Sequence, residues 1–294
     1  LGGGLHETHA QKVVIDNGDR IVLVGSTFIE RDVRYGVIET LLTAQFPEYD
    51  LTFRNLGWSG DDVFGIARAS FDSVAKGYDR LIAQVTEAKP NLVLMNYGQT
   101  ESFEGETGLD EFIAGYTKLL DDLAVTNARF VLISPTLQEN MGARLPNPTA
   151  HNADVHRYSQ AIRSLANKRN IPFVDLTIVL PVSNRKSRKP LTDNGLHFTE
   201  EGYWKVASAL LKGLGFEVTR PDIEKLAPLR EAILEKNRLF FNKWRPQNAT
   251  YITGFRKHEQ GRHVAEFPMY DPLVAEQEAN IANARIQLTA KGGN

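Results

Sequence analysis

Between Arg20 and Leu214, short β-branched apolar runs alternate with stretches of helical period. This alternation is typical of βαβ units and a parallel sheet. The apolar runs lack the polar alternation of a half-exposed strand, which indicates burial on both faces. We predict five strands, at Ile21 to Val24, Leu51 to Arg54, Leu92 to Asn96, Phe130 to Ile133 and Pro172 to Val174. The predicted fold is therefore α/β, with an open, doubly wound, five-stranded parallel sheet.

Apolar residues at i, i+3, i+4 and i+7 spacing predict helices that cover this sheet, over Phe112 to Leu123 and Val155 to Leu165. A third helix is predicted to begin after Thr199, a good N-cap followed by two glutamates, and to continue to Leu214.

The character of the chain changes after Gly215, so we divide it into an α/β domain, 12–215, and a mainly helical or irregular C-terminal extension, 216–294, that packs on it. Arg220 to Trp244 is rich in charge and helix formers, and Asp271 to Ile286 predicts a last helix. The contacts expected of that last helix are Leu273, Val274, Ile281 and Ile286.

Composition narrows the function classes. Lys and Arg number 34 against 36 Asp and Glu, so no global field favours nucleic acid or an anionic membrane, and we expect a small molecule or a neutral polymer as the partner. The absence of cysteine excludes disulfides, thiolate catalysis and Cys-ligated zinc. No apolar run approaches the roughly 18 residues of a membrane span, and Leu1 to Gln11 lacks a signal-peptide pattern. We expect either a cytosolic protein or one whose signal was removed before residue 1, which would favour the periplasm or secretion; the oligomeric state stays open.

Ligands of doubly wound sheets bind outside the carboxyl ends of the strands, so the loops that follow the strands are the most informative. Four such loops carry hydroxyls, amides exposed by glycine, and an imidazole. They are Gly25-Ser26-Thr27-Phe28, Asn55-Leu56-Gly57-Trp58-Ser59-Gly60-Asp61, Tyr97-Gly98-Gln99-Thr100-Glu101 and Asp193-Asn194-Gly195-Leu196-His197.

In order and spacing these loops resemble the blocks of the SGNH (GDSL-type) hydrolases, which run Gly-Asp-Ser, a later glycine, Gly-x-Asn-Asp, and Asp-x-x-His. In particular the chain looks like the branch found in planctomycete-type bacteria, in which Ile29-Glu30-Arg31, the loop 55–61 and Glu101-Ser102-Phe103-Glu104-Gly105 recur. The likeness continues through 236–241 and 254–261. It implies a three-layer α/β/α, flavodoxin-like SGNH domain that hydrolyses esters, with O-acylated carbohydrates as the favoured substrates and with no cofactor or metal.

The resemblance also implies roles for individual residues. Thr27 stands at the nucleophile position, Thr100 at the oxyanion asparagine and Asn194 at the triad aspartate, whereas Gly60 and His197 match the blocks. His197 would act as general base and then general acid, oriented by Asn194 or Asp193. Gly60, Thr100 and the amide of Thr27 would receive the oxyanion. Expected substrate contacts in these loops, or directly before one of them, are Ser26, Trp58, Asn96, Gln99 and Glu101.

Each departure from the blocks has a physical consequence. The methyl group of Thr27 restricts side-chain rotation and crowds the attack trajectory. Asn194 can accept a hydrogen bond from an imidazole but carries no charge to stabilise an imidazolium, a loss of roughly 10⁴ in a serine triad. Losing one oxyanion donor costs about 10² to 10³, although the Thr100 hydroxyl can still donate.

Other functions remain open. A degenerate hydrolase fold could bind a glycan or acyl ligand without turning it over, and the extension could instead mediate assembly with a partner protein. One segment of the extension is rich in aromatic and planar polar side chains. We expect it to pack between the extension and the α/β domain rather than to line a carbohydrate or acyl pocket. Its residues are Trp244, Arg245, Asn248, Tyr251, Phe255, Arg256 and His258.

Two further groups are expected to be unremarkable. The basic cluster is read as a solvated loop in preference to an anion site, and comprises Arg185, Lys186, Arg188 and Lys189. His258 and Glu259 are adjacent in sequence and do not share a helix face, so with His263 they do not make a metal motif.

Overall fold

The sheet lies at the centre of the computed structural model, which describes residues 13–180, 189–218 and 220–290. Its strands are β1 (Arg20–Gly25), β2 (Thr52–Asn55), β3 (Leu92–Asn96), β4 (Arg129–Ile133) and β5 (Phe173–Val174). All neighbours pair in parallel in the order β2-β1-β3-β4-β5. The predicted strands are confirmed, with each boundary within one residue.

The strand order fixes where a ligand can bind. The chain leaves β1 toward β2 on one side and returns to β3 on the other, so the topological switch point lies between β1 and β3. Gly25 at the end of β1 pairs with Asn96 at the end of β3, so the loops that follow these strands emerge side by side.

Six helices belong to the α/β domain within the described residues. They are α1 (Thr27–Asp32), α2 (Val37–Gln45), α3 (Val74–Glu87), α4 (Leu109–Leu123), α5 (Thr149–Arg169) and α6 (Glu200–Gly213). α2 and α6 bury side chains against one face of the sheet, and α3, α4 and α5 bury theirs against the other. The predicted helices are confirmed, and the Thr199 hydroxyl caps α6 by accepting a hydrogen bond from the Gly202 amide at 3.2 Å.

The extension contributes α7 (Ile223–Trp244), α8 (Ala249–Ile252), α9 (Lys257–Gln260) and α10 (Tyr270–Ala290). The contacts predicted for α10 were half right. Val274 and Ile281 are only 5% and 6% exposed, but Leu273 and Ile286 are 44% and 57% exposed. The buried pair is spaced i, i+7 and faces the protein, whereas the other two lie off that stripe.

A buried ion pair joins the extension to the α/β domain. The Lys236 ammonium on α7 donates to Glu39 Oε2 on α2 at 2.6 Å, to Asn237 Oδ1 at 2.7 Å and to the Phe53 carbonyl at 3.3 Å. Burial raises the pKa of Glu39 and lowers the pKa of Lys236, so each charge depends on the other for compensation.

Of the basic cluster, Arg185, Lys186 and Arg188 lie outside the described residues, and Lys189 lies 3.5 Å from the Glu201 carboxylate. Across 13–180, 189–218 and 220–290, no helix combines the length and apolar character that crossing a membrane requires.

Candidate active site

The turn from β1 into α1 places Thr27 at the carboxyl edge of the sheet. Gly25 has a φ of +155°, and a Cβ there would lie 2.3 Å from the carbonyl oxygen of Asn96, so only glycine fits. Ser26 follows as the residue before α1, and Thr27 is the first residue of that helix. Its half-buried hydroxyl therefore sits at the topological switch point.

The loop after β2 brings a backbone amide to that hydroxyl. A Cβ on Gly57 would lie 2.2 Å from the Glu30 amide nitrogen, so glycine allows this loop to pack directly on α1. Gly60 has a φ of +74°, and its N–H donates to Thr27 Oγ1 at 3.2 Å. An oxyanion donor and an attacking oxygen must be close neighbours, and this pair meets that requirement.

In the loop after β3, the Thr100 hydroxyl is less free to donate a hydrogen bond to a ligand. The Thr100 hydroxyl donates to the Asp61 carbonyl at 3.1 Å, so at 3.2 Å it accepts from the Ser26 hydroxyl. The proton of Thr100 is therefore engaged within the protein. The neighbouring Gln99 Nε2 is buried without a hydrogen-bond partner, which is uncommon for a buried donor and fits a group that meets a ligand.

The loop that carries His197 fixes the tautomer of its imidazole. Asn194 Oδ1 accepts from the Leu196 amide at 3.1 Å and the His197 amide at 2.8 Å. These two bonds orient the Asn194 side chain so that its Nδ2 donates to His197 Nδ1 at 3.2 Å. An Nδ1 that accepts cannot carry the proton, which therefore resides on Nε2. A general base at Nε2 requires the other tautomer.

Burial and the Arg31 guanidinium favour the neutral form of His197. Burial lowers the pKa of His197 and the Arg31 guanidinium lowers it further, whereas the Asp193 carboxylate opposes them. Asp193 Oδ1 lies 3.9 Å from His197 Nδ1, beyond hydrogen-bond distance, while its Oδ2 accepts from Arg31 at 2.9 Å. Asp193 therefore acts on the imidazole through its charge alone, whereas a triad carboxylate would accept a hydrogen bond from it.

The neighbours of Thr27 and His197 pack against each other. The rings of Phe28 and Phe198 lie 5.8 Å apart, and the Tyr203 hydroxyl donates to the Phe28 carbonyl at 2.7 Å. Arg31, one helical turn after Thr27, holds Asp193 in the histidine loop. Within the described residues the Thr27 hydroxyl and the imidazole are not hydrogen-bonded to each other, a state common in ligand-free hydrolases.

Three expected substrate contacts are occupied by the protein itself. Asn96 is 2% exposed and donates to the Ser134 carbonyl at 2.7 Å. Glu101 accepts from the Val63 amide at 3.0 Å and the Gly98 amide at 2.8 Å, and burial raises its pKa to about 7. Trp58 packs edge-on against Trp244, with ring centroids 5.8 Å apart. These contacts support the loops. Of the other two expected contacts, Ser26 is also buried, at 5% exposed, and Gln99 is half-buried.

Sequence reasoning missed the charged residues that brace these loops. Arg68 is fully buried and donates to Asp61 Oδ2 at 2.7 Å and to the Leu56 carbonyl at 2.9 Å, inside the loop after β2. Glu30 accepts from the Ser59 amide at 2.6 Å and pairs with Arg245. The recurring phrase Ile29-Glu30-Arg31 was the available signal for Glu30 and for Arg31, which lies on α1 and pairs with Asp193 of the histidine loop.

The outlying histidines take part in local contacts. His151 stacks on Phe103 with ring centroids 4.0 Å apart and bonds the buried Ser102 hydroxyl at 3.3 Å. His263 bonds Glu266 at 2.8 Å. Over the part of the chain that the structure describes, no group of three His, Asp or Glu side chains is arranged to hold a metal ion.

Comparisons with known proteins identify the family and the fold. The model of the GDSL-like lipase/acylhydrolase family matches residues 21–205. No curated protein sequence matches the chain.

Solved structures with the same fold include esterases. An acetylxylan esterase from Geobacillus stearothermophilus is 21% identical with a TM-score of 0.52, and the match covers 70% of this chain and 99% of that one. An acetyl xylan esterase called AlAXEase is 20% identical with a TM-score of 0.51, over 66% of this chain and 98% of its own. A gut microbial diltiazem-metabolizing enzyme is 18% identical with a TM-score of 0.54, over 71% of this chain and 49% of its own. Catalytic mutants of the Geobacillus esterase replace a serine, an aspartate and a histidine.

Proposed function

Because the chain belongs to the GDSL-like lipase/acylhydrolase family, we propose that it hydrolyses ester bonds, with acetyl esters of a carbohydrate as its substrates. Family membership supports ester hydrolysis, and the acetylxylan esterases among the structural neighbours favour acetyl groups on a sugar. The observation that carries the proposal is the 3.2 Å bond between the Gly60 amide and Thr27 Oγ1 at the switch point of the sheet.

In the proposed reaction Thr27 Oγ1 attacks the ester carbonyl while His197 Nε2 accepts the hydroxyl proton. The carbonyl oxygen gains negative charge and is stabilised by the amides of Gly60 and Thr27. His197 then protonates the departing sugar oxygen, which leaves an acetyl group on Thr27. Water attacks this second ester with the same base, and acetate departs.

The tautomer of His197 limits the rate of this reaction. Before Nε2 can accept a proton, the imidazole must carry its proton on Nδ1 and lose the hydrogen bond from Asn194. The transient imidazolium is stabilised by the Asp193 carboxylate from 3.9 Å. We therefore expect turnover well below that of a hydrolase with an aspartate in direct contact.

The test is hydrolysis of p-nitrophenyl acetate and of acetylated xylo-oligosaccharides by the wild type, with Thr27→Ala and His197→Ala as controls. We expect measurable turnover for the wild type and loss of it in both variants. Turnover equal in all three proteins would mean that neither residue takes part.

A second function, binding without turnover, is favoured by two observations at the same site. The hydroxyl proton of Thr100 is engaged by the Asp61 carbonyl, and the Asn194 amide holds the unproductive imidazole tautomer. If the protein binds without turnover, calorimetry should detect binding of an acetylated oligosaccharide while no acetate is released. The Thr27→Ala variant should bind as the wild type does.

A further inference from the structure

We infer that Arg245, in the C-terminal extension, is a positioning residue that holds the Gly60 amide against Thr27 through Glu30 and Ser59. This inference rests on the proposed function. It assigns the extension a part in the active site, although the matched family region ends at residue 205.

The contacts run without interruption from the extension to the hydroxyl. Arg245 Nη1 pairs with Glu30 Oε2, and the same carboxylate oxygen accepts from the Ser59 amide at 2.6 Å. The next amide along the chain, that of Gly60, donates to Thr27 Oγ1 at 3.2 Å. The Asp61 amide donates to the Trp58 carbonyl at 3.0 Å and closes the turn over Ser59 and Gly60, so fixing the Ser59 amide restricts the direction of the Gly60 amide.

Glu30 depends on Arg245 for its charge. Burial favours the protonated form of Glu30, but the Ser59 amide and the Arg245 guanidinium outweigh it and hold the pKa below its ordinary value. Without Arg245, a half-buried carboxylate would face the Ser59 amide with no counter-ion. The acceptor that orients this loop would then be weakened.

Arg245 is itself held in place by aromatic rings. Its guanidinium lies 3.9 Å from the ring centroid of Trp58, in the loop after β2, and 5.5 Å from that of Phe241 on α7. Trp244 packs edge-on against the same Trp58 ring. A guanidinium stacked on one ring and paired with one carboxylate has few alternative positions, which suits a residue that fixes a neighbouring loop.

The experiment compares wild type with Arg245→Met and Arg245→Lys, with Arg238→Met as the matched control. Arg238 lies on α7, which ends one residue before Arg245, and it pairs with Glu235 on the protein surface. We expect Arg245→Met to lower kcat for p-nitrophenyl acetate about tenfold with little change in KM, since a displaced oxyanion donor weakens only the transition state. Arg245→Lys, which keeps the charge, should recover part of the loss, and Arg238→Met should match wild type.

A second measurement needs no turnover. Hydrogen exchange followed by mass spectrometry should show faster exchange in the segment 56–62 of Arg245→Met, with the sheet protected as in wild type. If wild type proves inactive, the proposed function fails and this measurement alone decides the role of Arg245. If Arg245→Met does not fold, Glu30→Gln removes the other end of the pair and takes its place in both measurements.

Unchanged exchange in 56–62 overturns the inference, as does faster exchange with unchanged kcat in an active enzyme. A rise in KM alone would also overturn it, because it would make Arg245 a substrate contact.

Discussion

Replacing Asn194 with aspartate should raise kcat by about 10²- to 10³-fold. Asn194 Oδ1 already accepts the Leu196 and His197 amides, so an aspartate can keep both bonds with one oxygen. Its other oxygen would replace the amide nitrogen that now lies 3.2 Å from Nδ1. The imidazole would then carry its proton on Nδ1 and leave Nε2 free to act as base.

The magnitude follows from two changes at that contact. In the wild type, the productive tautomer forms only after the hydrogen bond from Asn194 to His197 Nδ1 is broken, which costs about 1 kcal/mol. An aspartate at position 194 removes this cost. A carboxylate facing the imidazolium adds a charged hydrogen bond, about 1.5–3 kcal/mol. At 1.36 kcal/mol per tenfold, the sum corresponds to the stated range. Arg31 near the site keeps the gain below the roughly 10⁴ of a serine triad.

Two assays check the reasoning. Steady-state hydrolysis of p-nitrophenyl acetate gives kcat, and nitrogen-15 NMR of the imidazole reports which ring nitrogen is protonated. In wild type at neutral pH we expect the proton on Nε2, and in Asn194→Asp on Nδ1, together with a higher pKa for His197.

Asp193→Asn is the matched control, because it removes the carboxylate that lies 3.9 Å away and outside hydrogen-bond distance. We expect its effect on kcat to be the smaller of the two. The reasoning is refuted if Asn194→Asp folds yet leaves kcat within threefold of wild type while Asp193→Asn abolishes turnover. Asp193 would then be the partner of the imidazole.

Three further outcomes are expected. Thr27→Ser keeps the hydroxyl and removes the crowding methyl group, so kcat should rise several-fold, whereas a fall would mean that the methyl group positions the attacking oxygen. Glu101, whose pKa is raised by burial from 4.5 to about 7, gives stability that is complete below pH 4.5 and is lost as the pH rises through 7, about 3 kcal/mol in all. Urea unfolding of wild type and Glu101→Gln between pH 4.5 and 8 should show that difference, and parallel curves would contradict it. Lys236→Met should lower the free energy of unfolding by about 3–5 kcal/mol. Adding Glu39→Leu should restore much of the loss, and a further decrease in the double variant would show that the pair is not coupled.

The sheet could be predicted because parallel strands that are buried on both faces consist of apolar runs. The ends of these runs agree with the strand ends to within one residue. The α10 contacts could not be predicted as well, since Leu273 and Val274 are both apolar and only the position of the helix on the protein decides which is covered.

The candidate site shows the same division. Thr27 and Gly60 could be predicted to lie together because they follow neighbouring strands, and the hydrogen bond between them agrees with this. The roles of Thr27, Gly60 and His197 in a reaction stay predictions. Arg245 and Glu30 are separated by more than two hundred residues along the chain, and no local sequence pattern predicts that they pair. The imidazole tautomer depends on how one loop turns an amide, which residue types alone do not specify.

The buried pair of Lys236 and Glu39 means that the matched region, 21–205, is smaller than the unit that must fold together. A shorter protein ending near residue 215 would lose Leu229, Ile233 and Lys236, so the face of α2 that they cover, including Glu39, would meet solvent. We expect such a truncation to be insoluble because that face is largely apolar. Transplanting the α/β domain into another protein would therefore require moving α7 with it, or first replacing the apolar residues of α2 that α7 covers.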